Sequence, residues 1–209
     1  MRSAVMMVLR QQEDLMVGEV ETLKHVCQSL EKIDVPYMLT GSFAANFYAV
    51  PRMTRDIDIV VEILSPDIDK FCRTFQDVYY LDQRALSEAV QNEGMFNIVH
   101  NGTVIKVDFI LCKDTPYRRE EFRRKRQVQL DDIKIWIVSP EDLVISKLFW
   151  AQDSLSERQL SDVKNILATS LELDEDYMQK WMHNLGLISV YERVKSMIQR
   201  LKWLAKYVK

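Results

Sequence analysis

The sequence lacks the features that mark several classes of protein. Its 209 residues include three scattered cysteines, Cys27, Cys72 and Cys112, whose spacing fits neither a disulfide framework nor a zinc site. It contains no run of eighteen apolar residues, so we expect no membrane span. The first fourteen residues have neither a long apolar core nor a small-residue cleavage site, so we expect no signal peptide and a cytoplasmic protein.

Glycine and proline are scarce, with five of each, and the charges nearly balance at a net −3. With 47% hydrophobic and 28% charged residues, the composition is that of an ordinary folded protein. A net charge of this sign argues against a general nucleic-acid binder. The length predicts a core over residues 1–138, including an N-terminal helix, followed by a helical region over 139–209.

Hydrophobic periodicity predicts an α/β fold with a mixed β-sheet flanked by helices. Strands are predicted at 37–40, around 56–61, and at 95–100, 103–111, 128–130 and 133–138. Helices are predicted at 11–32, 43–48, 82–91, 141–152, 156–169, 174–185 and 189–208, with a further one starting at 65. Asn101-Gly102 is a strong hairpin signal between two of these strands.

Acidic residues interrupt two of the predicted strands. Asp56 and Asp58 share one face of the first because side chains alternate along a strand, while Ile57 and Ile59 point the other way. Asp108 lies in the run T-V-I-K-V-D-F-I-L, again opposite an apolar face. A carboxylate in a buried strand costs free energy unless it is paired or binds a metal, and divalent cations such as Mg²⁺ prefer oxygen ligands. We therefore expect these three acids to meet at a metal site.

The residues around this acidic strand suit a phosphate. Gly41 ends the first strand without a side chain, and Ser42 offers a hydroxyl and an N–H at the start of the predicted short helix. Arg52 and Arg55 flank the acids. An arginine here either neutralises phosphate charge or pairs with the carboxylates, and both readings stay open.

The combination of Gly-Ser, an Asp-x-Asp strand and a later strand Asp resembles the nucleotidyltransferase superfamily of the polymerase-beta type. More narrowly, the stretch G-S-F-A-A-N-F-Y-A-V-P-R-M-T-R-D-I-D-I-V-V resembles the AbiEii-like bacterial nucleotidyltransferases, some of which are toxins of toxin–antitoxin pairs. The resemblance covers residues 37–111. It continues weakly through S-P-E-D-L-V-I-S-K-L-F-W-A and S-E-R-Q-L-S-D-V-K-N-I-L, which resemble helical Lys and Arg/Asp motifs.

This resemblance implies transfer of a nucleoside monophosphate from a nucleoside triphosphate (NTP) to an acceptor hydroxyl, with Mg²⁺ or Mn²⁺ as cofactor. Asp56, Asp58 and Asp108 would be catalytic metal ligands, and Gly41 and Ser42 would hold phosphates. Lys147 would add positive charge at the phosphates, although a lysine that reaches water fits its position equally well. Arg158 and Asp162 would support the site, whereas their spacing alone predicts an ordinary helical ion pair.

The acceptor is left open. The basic segment 113–126, K-D-T-P-Y-R-R-E-E-F-R-R-K-R, could contact a polyanion or could be a solvated surface with internal ion pairs. The first reading favours RNA (or protein) as acceptor and a toxin with an antitoxin partner. The alternatives are an antibiotic-type adenylyltransferase acting on a small molecule, and a non-catalytic module that senses nucleotide or binds a partner protein.

Overall fold

The structure is a computed structural model that describes residues 18–154, 156–170 and 172–207. The start of the predicted helix at 11–32 and the last residue of the one at 189–208 lie outside the described residues. The described residues form two compact units. We call the first, up to Phe43 and again over Met53–Ile137, the sheet unit; the helical unit comprises Ala44–Arg52 and the described residues from Val138 onward.

The sheet unit contains a seven-stranded mixed sheet. In chain order the strands are β1 Tyr37–Thr40, β2 Ile57–Val61, β3 Tyr79–Leu81, β4 Met95–His100, β5 Lys106–Leu111, β6 Arg126–Leu130 and β7 Ile133–Ile137. Their spatial order is β3-β4-β5-β2-β1-β7-β6. The pairs β2–β5 and β1–β7 are parallel and the other neighbours are antiparallel. The predicted α/β class with a mixed sheet is confirmed.

Nine helices can be followed through the described residues. They are α1 at 18–32, α2 Gly41–Ala45, α3 Ile68–Phe75, α4 Gln83–Asn92, α5 Pro116–Arg123, α6 Pro140–Ser154, α7 Glu157–Thr169, α8 Glu175–Asn184 and α9 Ile188–Tyr207. The last four belong to the helical unit. No described helix combines the length and apolar character needed to cross a membrane.

One face of the sheet packs against an aromatic cluster. The ring of Phe109 on β5 stacks on Phe96 of β4 at 5.0 Å between centroids and meets Phe71 of α3 edge-on at 5.3 Å. Ile57, Ile59 and Val61 of β2 are fully buried, alternating with half-buried residues. Because side chains alternate along a strand, the acids of β2 and β5 lie on the face opposite this core.

Ser139 directly precedes α6 and caps its first turn. Its hydroxyl accepts a hydrogen bond from the Asp142 N–H at 3.1 Å and donates to the Asp142 carboxylate at 2.6 Å. The hydroxyl of Tyr177 on α8 donates to the other oxygen of Asp142 at 2.6 Å. Asp142 is fully buried, and these bonds supply partners for both of its oxygens.

Candidate functional site

Two of the three predicted acids lie side by side on neighbouring strands. The register of the parallel pair places Asp58 of β2 directly beside Asp108 of β5. Both are partly exposed, while the residues before and after them are buried. Strand alternation therefore presents the two carboxylates on the same face, on strands about 4.8 Å apart.

Polar residues on the two flanking strands, β1 and β4, are aligned with these acids, so that four neighbouring strands contribute. Thr40 at the end of β1 is aligned with Asp58, and Asn97 of β4 is aligned with Asp108. We call Thr40, Asp58, Asp108 and Asn97 the polar row. A row of oxygen-bearing side chains on one face can contact a cation or a phosphate group.

Asp56 directly precedes β2, which starts at Ile57 rather than at Asp56 as predicted. Its side chain is exposed, and its charge acts on Lys106 of β5. Among the described residues, however, no three His, Cys, Asp or Glu side chains are close enough together to hold a metal ion. The structure thus brings two of the predicted ligands into register and leaves the third at the strand's entrance.

Lys106 is a charged partner of the polar row. Its ammonium Nζ lies 2.7 Å from Oδ2 of Asp108, two residues further along β5. The hydrogen bond to Asp108 raises the pKa of Lys106, and the charges of Asp56 and Asp58 add to this effect although partial burial opposes it. Lys106 therefore experiences the negative charge of all three predicted ligands.

Gly41 packs directly against Asp58. A Cβ at residue 41 would lie 1.9 Å from Oδ2 of Asp58 and 2.9 Å from its Cβ, and Gly41 has a φ of +67°. α2 begins at this glycine, so the helix starts two residues earlier than predicted. Ser42 follows in the first turn and is half-buried. The predicted phosphate turn is thus in contact with one of the predicted metal ligands.

Arg55 is exposed, and its charge acts on a carboxylate that the sequence did not indicate. Glu19 of α1 is buried, which raises its pKa; the positive charge of Arg55 opposes this rise and Asp56 adds to it. No spacing pattern links Glu19 to Arg55, so the tertiary structure was needed to find it.

In the helical unit, the other two predicted phosphate contacts, Arg52 and Lys147, both donate hydrogen bonds to the Asp162 carboxylate. Arg52 donates two hydrogen bonds to Asp162 of α7, each of 2.9 Å, and Nζ of Lys147 on α6 donates to Asp162 at 2.8 Å and to Gln159 at 3.0 Å. Lys147 is 3% exposed and Asp162 4%. Burial alone would raise the pKa of Asp162, but its bonds to Arg52 and Lys147 lower it below the ordinary value.

This arrangement corrects one prediction. Arg158 and Asp162 have the spacing of a helical ion pair, yet Arg158 is exposed and has no ion pair with any described residue. Asp162 is buried and bonded to Arg52, which is far away in the sequence. Asp162 therefore pairs with Arg52 and Lys147 from other segments rather than with Arg158 on its own helix. A buried carboxylate must be fully hydrogen-bonded, and two cations achieve this better than one.

Three of the seven basic side chains in segment 113–126 pair with the three acids of the same segment. Arg118 pairs with the buried Glu121 at 2.7 Å, Arg123 pairs with Glu120 at 2.6 Å, and Arg119 pairs with Asp114. Lys125 lies over the ring of Phe122 at 3.7 Å. Burial lowers the pKa of Lys125, partly offset by the charges of Glu62 and Cys112.

Comparison with known protein families shows which family this chain matches. The family described as nucleotidyl transferase of unknown function (DUF2204) matches residues 19–202, which include the polar row and Asp162 with its partners Arg52 and Lys147. The chain belongs to this family. It is a nucleotidyltransferase.

Solved structures share the fold of this nucleotidyltransferase at low identity. Lincosamide antibiotic adenylyltransferase LnuA, bound to lincomycin, is 16% identical with a TM-score of 0.52, over 72% of this chain and 97% of that chain. An antigenic nucleotidyltransferase-like protein from Paracoccidioides brasiliensis is 16% identical with a TM-score of 0.54, over 87% and 93%. The antibiotic-resistance factor ANT(2'')-Ia is 11% identical with a TM-score of 0.50, over 92% and 95%. No curated protein matches the sequence.

The polar row of the nucleotidyltransferase has the chemistry of a divalent-cation site. Asp58 and Asp108 supply the carboxylate oxygens that Mg²⁺ and Mn²⁺ prefer, in register on rigid strands. The row already holds one positive charge, the ammonium of Lys106. Asp58 and Asp108 therefore fit a divalent cation in ligand type.

Proposed function

We propose that this nucleotidyltransferase transfers a nucleoside monophosphate from an NTP to an acceptor hydroxyl, using divalent cations bound by Asp56, Asp58 and Asp108. The observation that carries the proposal is the register of Asp58 with Asp108 beside Gly41. Bound Mg²⁺ or Mn²⁺ would withdraw charge from the phosphate oxygens and position them for in-line displacement. The protein's part is to hold the ligands and the substrates in place.

The proposed step conserves atoms and charge without a nucleophilic side chain. The acceptor oxygen forms a bond to the α-phosphorus while the bond from that phosphorus to the pyrophosphate oxygen breaks, and pyrophosphate leaves. The hydroxyl proton passes to the carboxylate of Asp108. Asp108 suits this role because its side chain is 16% exposed, so that an acceptor can reach it from solution.

The triphosphate contacts are also part of the proposal. In the sheet unit, Gly41 allows close approach of a phosphate, Ser42 supplies a hydroxyl and an N–H, and Arg55 supplies charge from an exposed position. Arg52 and Lys147 stay predicted contacts. Arg52 is 31% exposed and has the better access to a ligand, since Lys147 is enclosed with Asp162 and Gln159.

A small hydroxylated molecule is the acceptor that we place first. A protein that acts on RNA needs free cations to bind phosphates. In the segment 113–126, three arginines instead pair with acids of the same segment. We therefore place the antibiotic-type adenylyltransferase ahead of an RNA- or protein-modifying toxin. The AbiEii-like subfamily, the toxin activity and an antitoxin partner stay predictions.

The test is a transfer assay. Each of the four α-labelled NTPs is incubated with Mg²⁺ and, in separate reactions, with lincosamide or aminoglycoside antibiotics, total RNA or cell protein. We expect label on a small molecule. Asp58→Asn should reduce transfer by more than the roughly 10- to 100-fold that loss of an outer-shell partner costs. Asp176→Asn, at an exposed acid of α8, is the matched control and should leave transfer unchanged.

Other outcomes separate the alternatives. Label on RNA or protein would replace the small-molecule acceptor with a macromolecular one. Nucleotide binding without transfer to any acceptor would support the non-catalytic module. An Asp58→Asn variant as active as the wild type would contradict the proposed site itself.

A further inference from the structure

We propose that Lys106 is a resident counter-cation of the polar row, which a divalent cation must displace from Asp108 in order to bind. This inference rests on the proposed function, because it concerns the same carboxylates. It gives Lys106, which is not among the predicted site residues, a role in setting metal affinity.

The geometry places Lys106 where a cation would lie. Lys106 and Asp108 are two residues apart on β5, so both side chains lie on the face of the polar row. The ammonium is 2.7 Å from Oδ2 of Asp108, a short charge-assisted hydrogen bond. The lone pairs of an oxygen that accept this bond are the same ones that a metal ion would use.

The charge of the row explains why a cation is held there. Asp58 and Asp108 are like charges directly opposite each other, an arrangement that is unfavourable in a sheet. With Asp56 nearby, the three carboxylates have a formal charge of −3, which Lys106 reduces to −2. A divalent cation at the same carboxylates relieves the same repulsion. Lys106 and the metal therefore compete for one role.

Exposure allows the exchange. The side chain of Lys106 is 46% exposed, so its ammonium can move into water when the cation arrives. An ion pair this exposed contributes little to folding, so that a variant without it should keep its structure. A purely structural lysine would instead affect unfolding and leave metal affinity unchanged.

The experiment measures Mn²⁺ binding to the full chain without nucleotide, by calorimetry or by the electron paramagnetic resonance signal of free Mn²⁺. We expect Lys106→Met to bind Mn²⁺ roughly fivefold more tightly than the wild type. Lys106→Arg keeps the charge and should bind like the wild type. Lys134→Met, which removes an exposed lysine from β7, three strands or about 14 Å away across the sheet, is the matched control and should also bind like the wild type.

A second measurement distinguishes displacement of the Lys106 ammonium from a change in the electrostatic field that leaves Lys106 in place. In the wild type, the NMR signals of the Lys106 side chain, assigned by their loss in Lys106→Met, should shift on titration with Mg²⁺. The shift and the binding should share one saturation curve.

The outcomes separate this inference from the proposed function. Wild-type Mn²⁺ binding with no tightening in Lys106→Met, or with Lys106 signals that do not move, overturns the role of Lys106 alone. Absence of Mn²⁺ binding in both proteins, with or without NTP, overturns the metal site and the inference together. Tighter binding in Lys106→Met with moving wild-type signals supports both.

Discussion

At the scale of single residues, Gly41 is the position where one added carbon would disturb the polar row most directly. A Cβ there would overlap the Asp58 carboxylate at 1.9 Å, and rotation of Asp58 would not remove the overlap because the Cβ of Asp58 is itself 2.9 Å away. We expect Gly41→Ala to abolish Mn²⁺ binding and to lower the free energy of unfolding by more than the about 1–2 kcal/mol that left-handed backbone costs an alanine. Calorimetric metal titration and chemical denaturation measure the two effects.

Gly186 offers a control with the same backbone strain and no clash. Its φ is +70°, and a Cβ there would meet no atom within 4 Å. Gly186→Ala should therefore show only the loss of about 1 kcal/mol expected from its φ, with unchanged Mn²⁺ binding. Wild-type Mn²⁺ affinity in Gly41→Ala would show that Gly41 does not determine the position of Asp58.

What the sequence predicted at this scale follows from strand periodicity. Alternation placed Asp58 and Asp108 opposite apolar faces, and the structure confirms this arrangement. Alternation also put Lys106 on the face of Asp108, but a period of two does not say which acid a long flexible side chain will contact. Asp162 shows a different limit: its partner Arg52 is 110 residues away in the sequence, where no local spacing rule applies.

At the scale of elements, the Asp162 carboxylate joins α7 to α6 and to the chain at Arg52 within the helical unit. We expect Asp162→Asn to lower the free energy of unfolding by about 3–5 kcal/mol, because the buried ammonium of Lys147 loses its counter-charge. Chemical denaturation at neutral pH measures the loss. Glu157→Gln removes an exposed carboxylate from the same helix and should change stability by less than about 0.5 kcal/mol.

The same substitution should change the response to acid. The pKa of Asp162 in the folded protein lies below its ordinary value, so the unfolded chain binds the proton first as the pH falls. The stability that Asp162 supplies is therefore complete above about pH 5 and declines as the pH falls through about 4. The wild type should lose more stability than Asp162→Asn across this interval. Equal acid dependence in the two proteins would rule out this coupling.

Elements with strong turn or capping signals were predicted well. The Asn101-Gly102 signal lies in the connection between β4 and β5, although β5 begins at Lys106 rather than at residue 103. Asp131-Asp132 joins β6 to β7, where Asp131 adopts a φ of +50°. The strand β3 was missed because three residues, Tyr79–Leu81, are too few to show alternation. Pairing with β4 at the sheet edge, a tertiary effect, makes them a strand.

At the scale of the whole molecule, the nucleotidyltransferase assignment and the α/β fold were predicted from the sequence, whereas the acceptor was not. Hydrophobic periodicity predicts the strands, and the Gly-Ser turn with the strand acids Asp58 and Asp108 resembles a known superfamily. The acceptor depends instead on how surface charges pair, which composition does not reveal. The segment 113–126 looks strongly basic in the sequence, whereas the structure shows Arg118, Arg119 and Arg123 each bonded to an acid.

This pairing leads to a prediction about RNA. With a net charge of −3 and these arginines engaged, the protein should bind a labelled single-stranded RNA no more tightly than the roughly 10⁻⁴ M typical of the weakest non-specific binding at physiological salt. Asp114→Asn removes the acid that pairs with Arg119, so the affinity should rise. The salt dependence should steepen by about 0.7 logarithmic unit per phosphate gained. Fluorescence anisotropy across a salt series measures both the affinity and its salt dependence. Micromolar binding by the wild type with a steep salt dependence would contradict this prediction and favour RNA as the acceptor.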